Sequence, residues 1–275
     1  MKTLVVANQK GGVGKSTLAV HITHLALEQG KRVLMVDMDA QRNFTLSFAS
    51  TVEKTALPAA DLFKKQITSQ PFYVKENLAV IHASTALMSA DSLVSFGAGD
   101  EANEFMKKLL NLGEDEVDVV KRPGAHLKAF AKDFDLCVID TPPHLGVRLL
   151  ASLAAADAVV TPVSIGFFEL LGFGDLMQTI NVVCSRQGIN PKLKPIGIVP
   201  TKTHSRRKKE EEALNAIRQK YSKMVLPVEL PERSAVREAV ANKVPVWVRV
   251  RGEGHRKASV EWRAACDIIL GRVFQ

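Results

Sequence analysis

Residues 9–17 read Gln-Lys-Gly-Gly-Val-Gly-Lys-Ser-Thr and follow the apolar run Thr3-Leu4-Val5-Val6-Ala7. No other stretch of the chain restricts its fold so tightly. An apolar strand, a glycine-rich turn and a Gly-Lys-Ser that opens a helix form a phosphate-binding loop. Gly11, Gly12 and Gly14 permit dihedrals and a closeness of approach that a Cβ would block. The backbone N–H groups from Lys10 through Val13 can then converge on phosphate oxygens. Lys15 is placed to reach the β- and γ-phosphates, and the Ser16 hydroxyl, next to Thr17, to ligate Mg²⁺. The following helix, expected over Ser16–Glu28, adds the positive end of its dipole. One departure stands out. The usual spacing puts glycine five residues before Gly14, where this chain has Gln9, and a second lysine, Lys10, sits inside the loop.

Around this loop, strand and helix patterns alternate, which predicts an α/β fold: a mostly parallel, twisted sheet with helices on both faces. The apolar runs Leu4–Asn8, Val33–Asp37, Leu78–His82, Leu136–Asp140, Ala158–Val163, Pro195–Pro200 and Met224–Leu226 read as strands. Helices are expected at Pro58–Lys65, Leu87–Val94, Glu101–Asn111, Pro123–Lys132, Gly146–Ala155, Phe168–Arg186, Arg206–Tyr221, Ser234–Ala241 and Ser259–Arg272. Gly97–Asp118 is the least regular segment, read as a peripheral helix and loop. With 275 residues, 46% hydrophobic and 24% charged, the chain is read as one globular domain over residues 1–275. No run reaches the ~18 apolar residues of a membrane helix. The amino-terminus enters a strand at once, so no signal peptide is expected. Cys137, Cys184 and Cys266 have no metal-like spacing and read as buried free thiols in a reducing compartment.

Two further stations carry acids. The second strand runs into Val36-Asp37-Met38-Asp39-Ala40-Gln41, and the fourth, Asp135–Asp140, into Thr141-Pro142-Pro143. Carboxylates at the carboxyl ends of parallel strands sit at the edge where ligands bind. Of Asp37 and Asp39, one can hold a metal-bound water or a lysine and the other can orient an attacking water. Asp140, after an apolar strand, is the expected second Mg²⁺ station, acting through a metal-bound water. Ser16, Asp37 and Asp140 thus form the candidate metal side.

The formal net charge is +8 and it is unevenly spread. Residues 186–275 hold 20 Lys and Arg against 9 Asp and Glu, a net +11, whereas residues 1–185 are at −3. Such a bias suits a polyanion, either nucleic acid or an anionic membrane. Arg206, Arg207, Arg233, Arg237, Arg249 and Arg251 are the candidate contacts. Sparse aromatic interleaving, Trp247 and Trp262, argues for phosphate contacts on duplex DNA rather than stacking on single strands.

Taken together, Lys10-Gly-Gly-Val-Gly-Lys15-Ser16-Thr17, Asp37-Met-Asp39-Ala-Gln41 and Asp140-Thr-Pro-Pro143 resemble the nucleotide motifs of the ParA-type partition ATPases. These belong to the deviant Walker A group of P-loop NTPases that includes MinD. The likeness continues through Thr161-Pro162, Phe168-Glu169-Leu170 and Leu230-Pro231 to Glu238-Ala239. It implies an ATPase using ATP and Mg²⁺, with Lys10, Lys15 and Asp39 as catalytic residues. It implies an ATP-bound sandwich homodimer in which Lys10 crosses to the other copy's phosphates, and slow hydrolysis with Asp39 positioning water. ATP-bound dimers of such proteins coat duplex DNA without sequence preference. A ParB-like or cargo-adaptor protein stimulates hydrolysis and release. The implied location is cytoplasmic and nucleoid-associated, with no membrane partner. By family position, Thr201 and Pro231 flank the adenine.

Ala40 stands where the family usually has proline, and Arg42 where glycine is common. Both lie in the loop expected near the partner surface. No helix-turn-helix extension precedes the phosphate loop, which argues against a sequence-specific repressor. The alternative is a MinD-like membrane-cycling regulator, which would need Val260–Phe274 as an amphipathic membrane helix. An iron protein would need paired cysteines at a reachable surface, and an amide ligase a second substrate motif that the sequence lacks.

Overall fold

The computed structural model describes residues 1–96, 102–165, 169–203 and 208–275. Its strands are β1 (Lys2–Val6), β2 (Val33–Asp37), β3 (Phe72–Lys75), β4 (Leu78–Ile81), β5 (Leu136–Asp140), β6 (Ala158–Ser164) and β7 (Lys194–Thr201). They form one sheet in the order β3-β4-β2-β5-β1-β6-β7. Every pairing is parallel except β3 with β4. The central strands β2 and β5 are buried along their whole length, which is why they read as unbroken apolar runs rather than alternating ones.

The helices are α1 (Lys15–Glu28), α2 (Asn43–Leu46), α3 (Ala102–Leu110), α4 (Glu114–Ala129), α5 (Val147–Ala155), α6 (Glu169–Val183), α7 (Lys208–Tyr221), α8 (Ser234–Ala241) and α9 (Gly252–Phe274). Successive strand residues point to opposite faces, and this divides the core in two. Leu4 and Val6 join Leu18 and Ile22 of α1 and Trp262 and Ile269 of α9. Val5 and Ala7 join Val120 and Leu127 of α4, Leu149 and Leu150 of α5 and Leu176 of α6. Each fully buried side chain of this size contributes roughly 1.5–3 kcal/mol.

Several elements differ from the sequence reading. β3 escapes it because it is an edge strand, alternately half-buried and exposed, with no continuous apolar run. Met224–Leu226 is not a strand. Residues Ser222–Met224 form a 3₁₀ turn, and Val225 makes an isolated bridge to Ile198. The segments at Pro58–Lys65 and Leu87–Val94 are 3₁₀ turns, Ala59–Phe63 and Thr85–Ser92. Helix α4 begins at Glu114 rather than Pro123, which lies inside it. Its start is set by the Glu116 carboxylate, which accepts from the Gly113 amide at 3.0 Å, and by three acids in the first turn that favour the helix dipole. Cys137 and Cys266 are buried as expected, but Cys184 is only half-buried.

The parallel strands all end at one edge of the sheet. The loops after β1, β2, β5 and β7 therefore meet there, the place where open α/β sheets bind ligands.

Candidate active site

The loop after β1 turns through Gln9–Gly14 into α1. Gly12 (φ 74°) and Gly14 (φ 95°) are left-handed, a conformation that residues with a Cβ adopt rarely. The Asn8 amide fixes the entrance: Nδ2 donates to the Pro162 carbonyl at 2.7 Å, and Oδ1 accepts from the Lys10 N–H at 2.9 Å. From the far side the Thr201 hydroxyl donates to the Val13 carbonyl at 2.9 Å. Lys15 is buried and its Nζ donates to the Lys10 carbonyl at 2.9 Å. Burial pushes the Lys15 pKa down, while the charges of Asp140 and Asp39 pull it back up. A buried cation beside a curl of backbone N–H groups is suited to a polyanion.

Asp37 and Asp140 are register partners across β2 and β5, so they emerge side by side. The Ser16 hydroxyl donates to Asp140 Oδ2 at 2.5 Å. Asp140 Oδ1 is buried and has no hydrogen-bond partner among the described residues. Leaving such an acceptor unsatisfied costs about 1–3 kcal/mol. An oxygen-only set of a serine hydroxyl and a carboxylate matches the ligand preference of Mg²⁺. Burial, and next the neighbouring Asp37 charge, push the Asp140 carboxyl well above its ordinary range. Burial raises Asp37 as well. The three metal-side residues are not equivalent. Asp37 Oδ2 accepts from the Thr45 N–H and hydroxyl, both at 2.8 Å, and Oδ1 from the Asp39 N–H at 3.1 Å. Asp37 thus anchors the loop that carries Asp39, while Ser16 and Asp140 face each other.

Asp39 is half-buried and lines the same cavity as Lys15 and Ser16. The next turn passes through Arg42 at φ 63°. This is the position where the family favours glycine, and a non-glycine residue held there costs about 1 kcal/mol. The cavity encloses about 690 Å³. It runs from the loop glycines past Thr201 and Pro231, the two expected adenine neighbours, which are joined through a bridge between Thr201 and Leu230. Its far wall includes Val236, Val240 and Trp262. The sequence reading missed these because their placement depends on α9 packing along α1 and α8 packing on α9.

The candidate DNA residues separate into groups. Arg206 and Arg207 lie outside the described residues. Arg233 is paired with Glu261, with contacts of 2.6 and 3.0 Å, and its side chain is 24% exposed. Arg237 is 76% exposed and stands 3.8 Å from Glu232. Arg249 and Arg251 are exposed on the strap leading into α9. That strap is tied to the phosphate-loop helix. The Val246 N–H donates to His21 Nε2 at 3.2 Å, and the Trp247 indole N–H donates to Glu28 at 2.6 Å.

A family model described as an AAA domain matches residues 1–195. Protein IncC of Escherichia coli is 34% identical over 281 residues, which cover 99% of this chain and 70% of IncC. Chromosome partitioning protein ParA of Caulobacter vibrioides is 30% identical over 248 residues, covering 90% of this chain and 86% of that one. The chain belongs to the ParA-type partition ATPases. A solved structure of cobyrinic acid a,c-diamide synthase from Mycobacterium smegmatis, with bound ATP analogue and magnesium, is similar at a TM-score of 0.73 and 27% identity, covering 98% of this chain and 94% of that one. The partition ATPase thus has an α/β P-loop fold and hydrolyses ATP with Mg²⁺. The buried Asp140 oxygen beside Ser16, unpartnered among the described residues, and the left-handed glycines fit both ligands. Mg²⁺, when bound, screens phosphate charge during phosphoryl transfer.

Proposed function

We propose that this partition ATPase acts as one domain that cycles between an ATP-bound sandwich homodimer and a released form. The dimer holds duplex DNA without sequence preference, and the cycle moves or positions a cargo such as a plasmid, a chromosome or a protein complex. Lys15 and the amides from Lys10 through Val13 hold the phosphates, and Lys10 reaches across to those bound by the second copy. Asp39 orients the attacking water; Ser16 and Asp140, with Asp37 behind them, serve the metal. A ParB-like or other cargo-adaptor protein stimulates hydrolysis. The working location is the nucleoid, in the cytoplasm.

The observation that carries this reading is the fastening of the basic strap to α1. The helix that opens at Lys15 and Ser16 also holds Val246 through His21 and Trp247 through Glu28. A change in the nucleotide loop therefore has a packed route to Arg249 and Arg251. The membrane-cycling alternative is disfavoured because Trp262, Cys266, Ile269 and Leu270 of α9 are buried in the core, and the large apolar residues that α9 exposes, Val260 and Phe274, lie at opposite ends of the segment. Among the described residues, no helix is long and apolar enough to cross a membrane.

The test is a gel shift on unrelated duplexes with ATP, with ADP and without nucleotide. Retention only with ATP, lost at high salt, supports the reading. Retention on one sequence regardless of nucleotide, or capture by anionic vesicles instead of DNA, overturns it.

A further inference from the structure

Met38, the residue before Asp39, is held from two directions. Its N–H donates to the Asp140 carbonyl at 3.0 Å, and its carbonyl accepts from an Arg148 terminal nitrogen at 2.9 Å. Arg148 lies in the first turn of α5 and is only 3% exposed. Its other nitrogens are fully engaged. Nε lies 3.0 Å from Asp91 Oδ1, and the second terminal nitrogen lies 2.6 Å from Asp91 Oδ2 and 3.0 Å from His144 Nε2. A guanidinium forked onto a carboxylate has a fixed plane and position. Burial pushes the Asp91 carboxyl up, but hydrogen bonding with His144 and then with Arg148, together with the Arg148 charge, outweighs it and holds it below the ordinary range.

The cluster joins three separate pieces of chain. Asp91 belongs to the Thr85–Ser92 turn, His144 to the loop after Asp140-Thr-Pro-Pro143, and the Met38 carbonyl to the loop of Asp39. Buried ion pairs give little net stability over well-packed apolar groups. What this one fixes is the geometry of a peptide adjoining a candidate catalytic carboxylate. Arg148 itself does not line the cavity.

We infer that Arg148, clamped by Asp91, is a positioning residue for ATP hydrolysis: it fixes the Met38 carbonyl, and so the Asp39 carboxylate, and ties that loop to the one bearing His144. The inference rests on the reading that Asp39 orients the attacking water. Because Arg148 acts one peptide away from the site, it governs turnover and not nucleotide binding.

The test compares wild type, Arg148→Lys, Asp91→Asn and Asp39→Ala by steady-state hydrolysis at saturating ATP, binding of a fluorescent ATP analogue, and melting temperature. Lysine keeps the charge but cannot hold the carboxylate fork and the Met38 carbonyl together. Arg148→Lys is expected to lower kcat about tenfold or more while nucleotide affinity stays within about twofold. Asp91→Asn, at a partly exposed position, is expected to lower kcat in the same direction, and it decides the question if Arg148→Lys does not fold. Variants that melt like wild type and keep its kcat overturn the inference. So does a loss of nucleotide affinity as large as the loss of rate. Asp39→Ala separates the two layers. Wild-type turnover there removes the Asp39 reading and this inference with it. An inactive Asp39→Ala beside normal Arg148→Lys and Asp91→Asn removes only the role of Arg148.

Discussion

The Ser16 hydroxyl and the Asp140 carboxylate meet at 2.5 Å although 124 positions separate them in the chain. The contact joins the phosphate loop to the end of β5, and it leaves Asp140 Oδ1 buried without a partner among the described residues. Turnover in this protein should therefore depend on metal. Chelation with EDTA is expected to lower turnover by at least about 100-fold, because charge stabilisation at phosphoryl groups carries most of the catalysis. Asp140→Ala should lose the same metal response. The check is turnover titrated with Mg²⁺ for both proteins. A wild-type Mg²⁺ curve from Asp140→Ala would remove that residue from the metal side.

The two loop lysines should behave differently. Lys15 is buried with its Nζ turned onto the loop, so Lys15→Ala should abolish ATP binding. Lys10 acts in trans under the sandwich reading, so Lys10→Ala should retain measurable ATP binding yet remain monomeric with ATP. Calorimetric titration with ATP and sedimentation of each variant would distinguish them. Equal loss of binding in both would argue against a trans role for Lys10.

The stability that buried, neutral His21 contributes should fall as pH drops from about 6.5 to about 4. His21 is fully buried, near the Thr17 carbonyl at 2.7 Å through Nδ1, and accepts from the Val246 N–H through Nε2. Burial pushes its pKa down to about 4, and burial, followed by the charges of His21 and Lys75, does the same to His24. In the unfolded chain a histidine titrates near 6.5. Between those values the unfolded state binds more protons, so acid favours unfolding. The His21 contribution is present above about pH 6.5 and is lost towards pH 4, on the order of 3 kcal/mol. The raised carboxyls of Asp37 and Asp140 act in the opposite sense. The measurement is therefore a comparison of melting against pH for wild type and His21→Gln, in which their effect is shared. A shallower slope for His21→Gln is expected; identical slopes would contradict the assignment.

DNA retention and nucleotide binding should separate by mutation. Arg237, Arg249 and Arg251 are exposed, so reversing them to glutamate should remove DNA binding while leaving ATP affinity unchanged. In wild type, log K should fall by about 0.9 for each phosphate neutralised as log salt rises, and the slope should flatten in the variant. Arg233 is a poorer choice for this test. Its reversal would set a glutamate against Glu261 in a half-buried pair and destabilise the fold. DNA binding by the triple variant at wild-type strength would move the interface elsewhere.

The phosphate loop could be read directly because its determinants are local: glycines at left-handed positions and Lys-Ser at the helix start, all within one turn. The strand-end acids were legible for a similar reason, as fully buried apolar runs mark where β2 and β5 stop. Tertiary pairings left no such trace. Arg233 meets Glu261 across 28 positions and Arg148 meets Asp91 across 57. A lone arginine in the apolar helix Val147–Ala155 has no periodic signature that would separate it from a solvated charge. Position in the sequence groups Asp37 with the metal residues, and only the fold brings Thr45 within reach of its oxygens. The start of α4 was masked by Pro123, which usually marks a helix beginning and here lies inside one.

Light scattering of Asp39→Ala in MgATP and in MgADP decides whether ATP holds a dimer that hydrolysis releases. Removing the carboxylate that orients water should leave ATP uncleaved, so the variant should show twice the monomer mass in MgATP and the monomer mass in MgADP. One unchanged monomer mass in both nucleotides, with ATP bound, would contradict it.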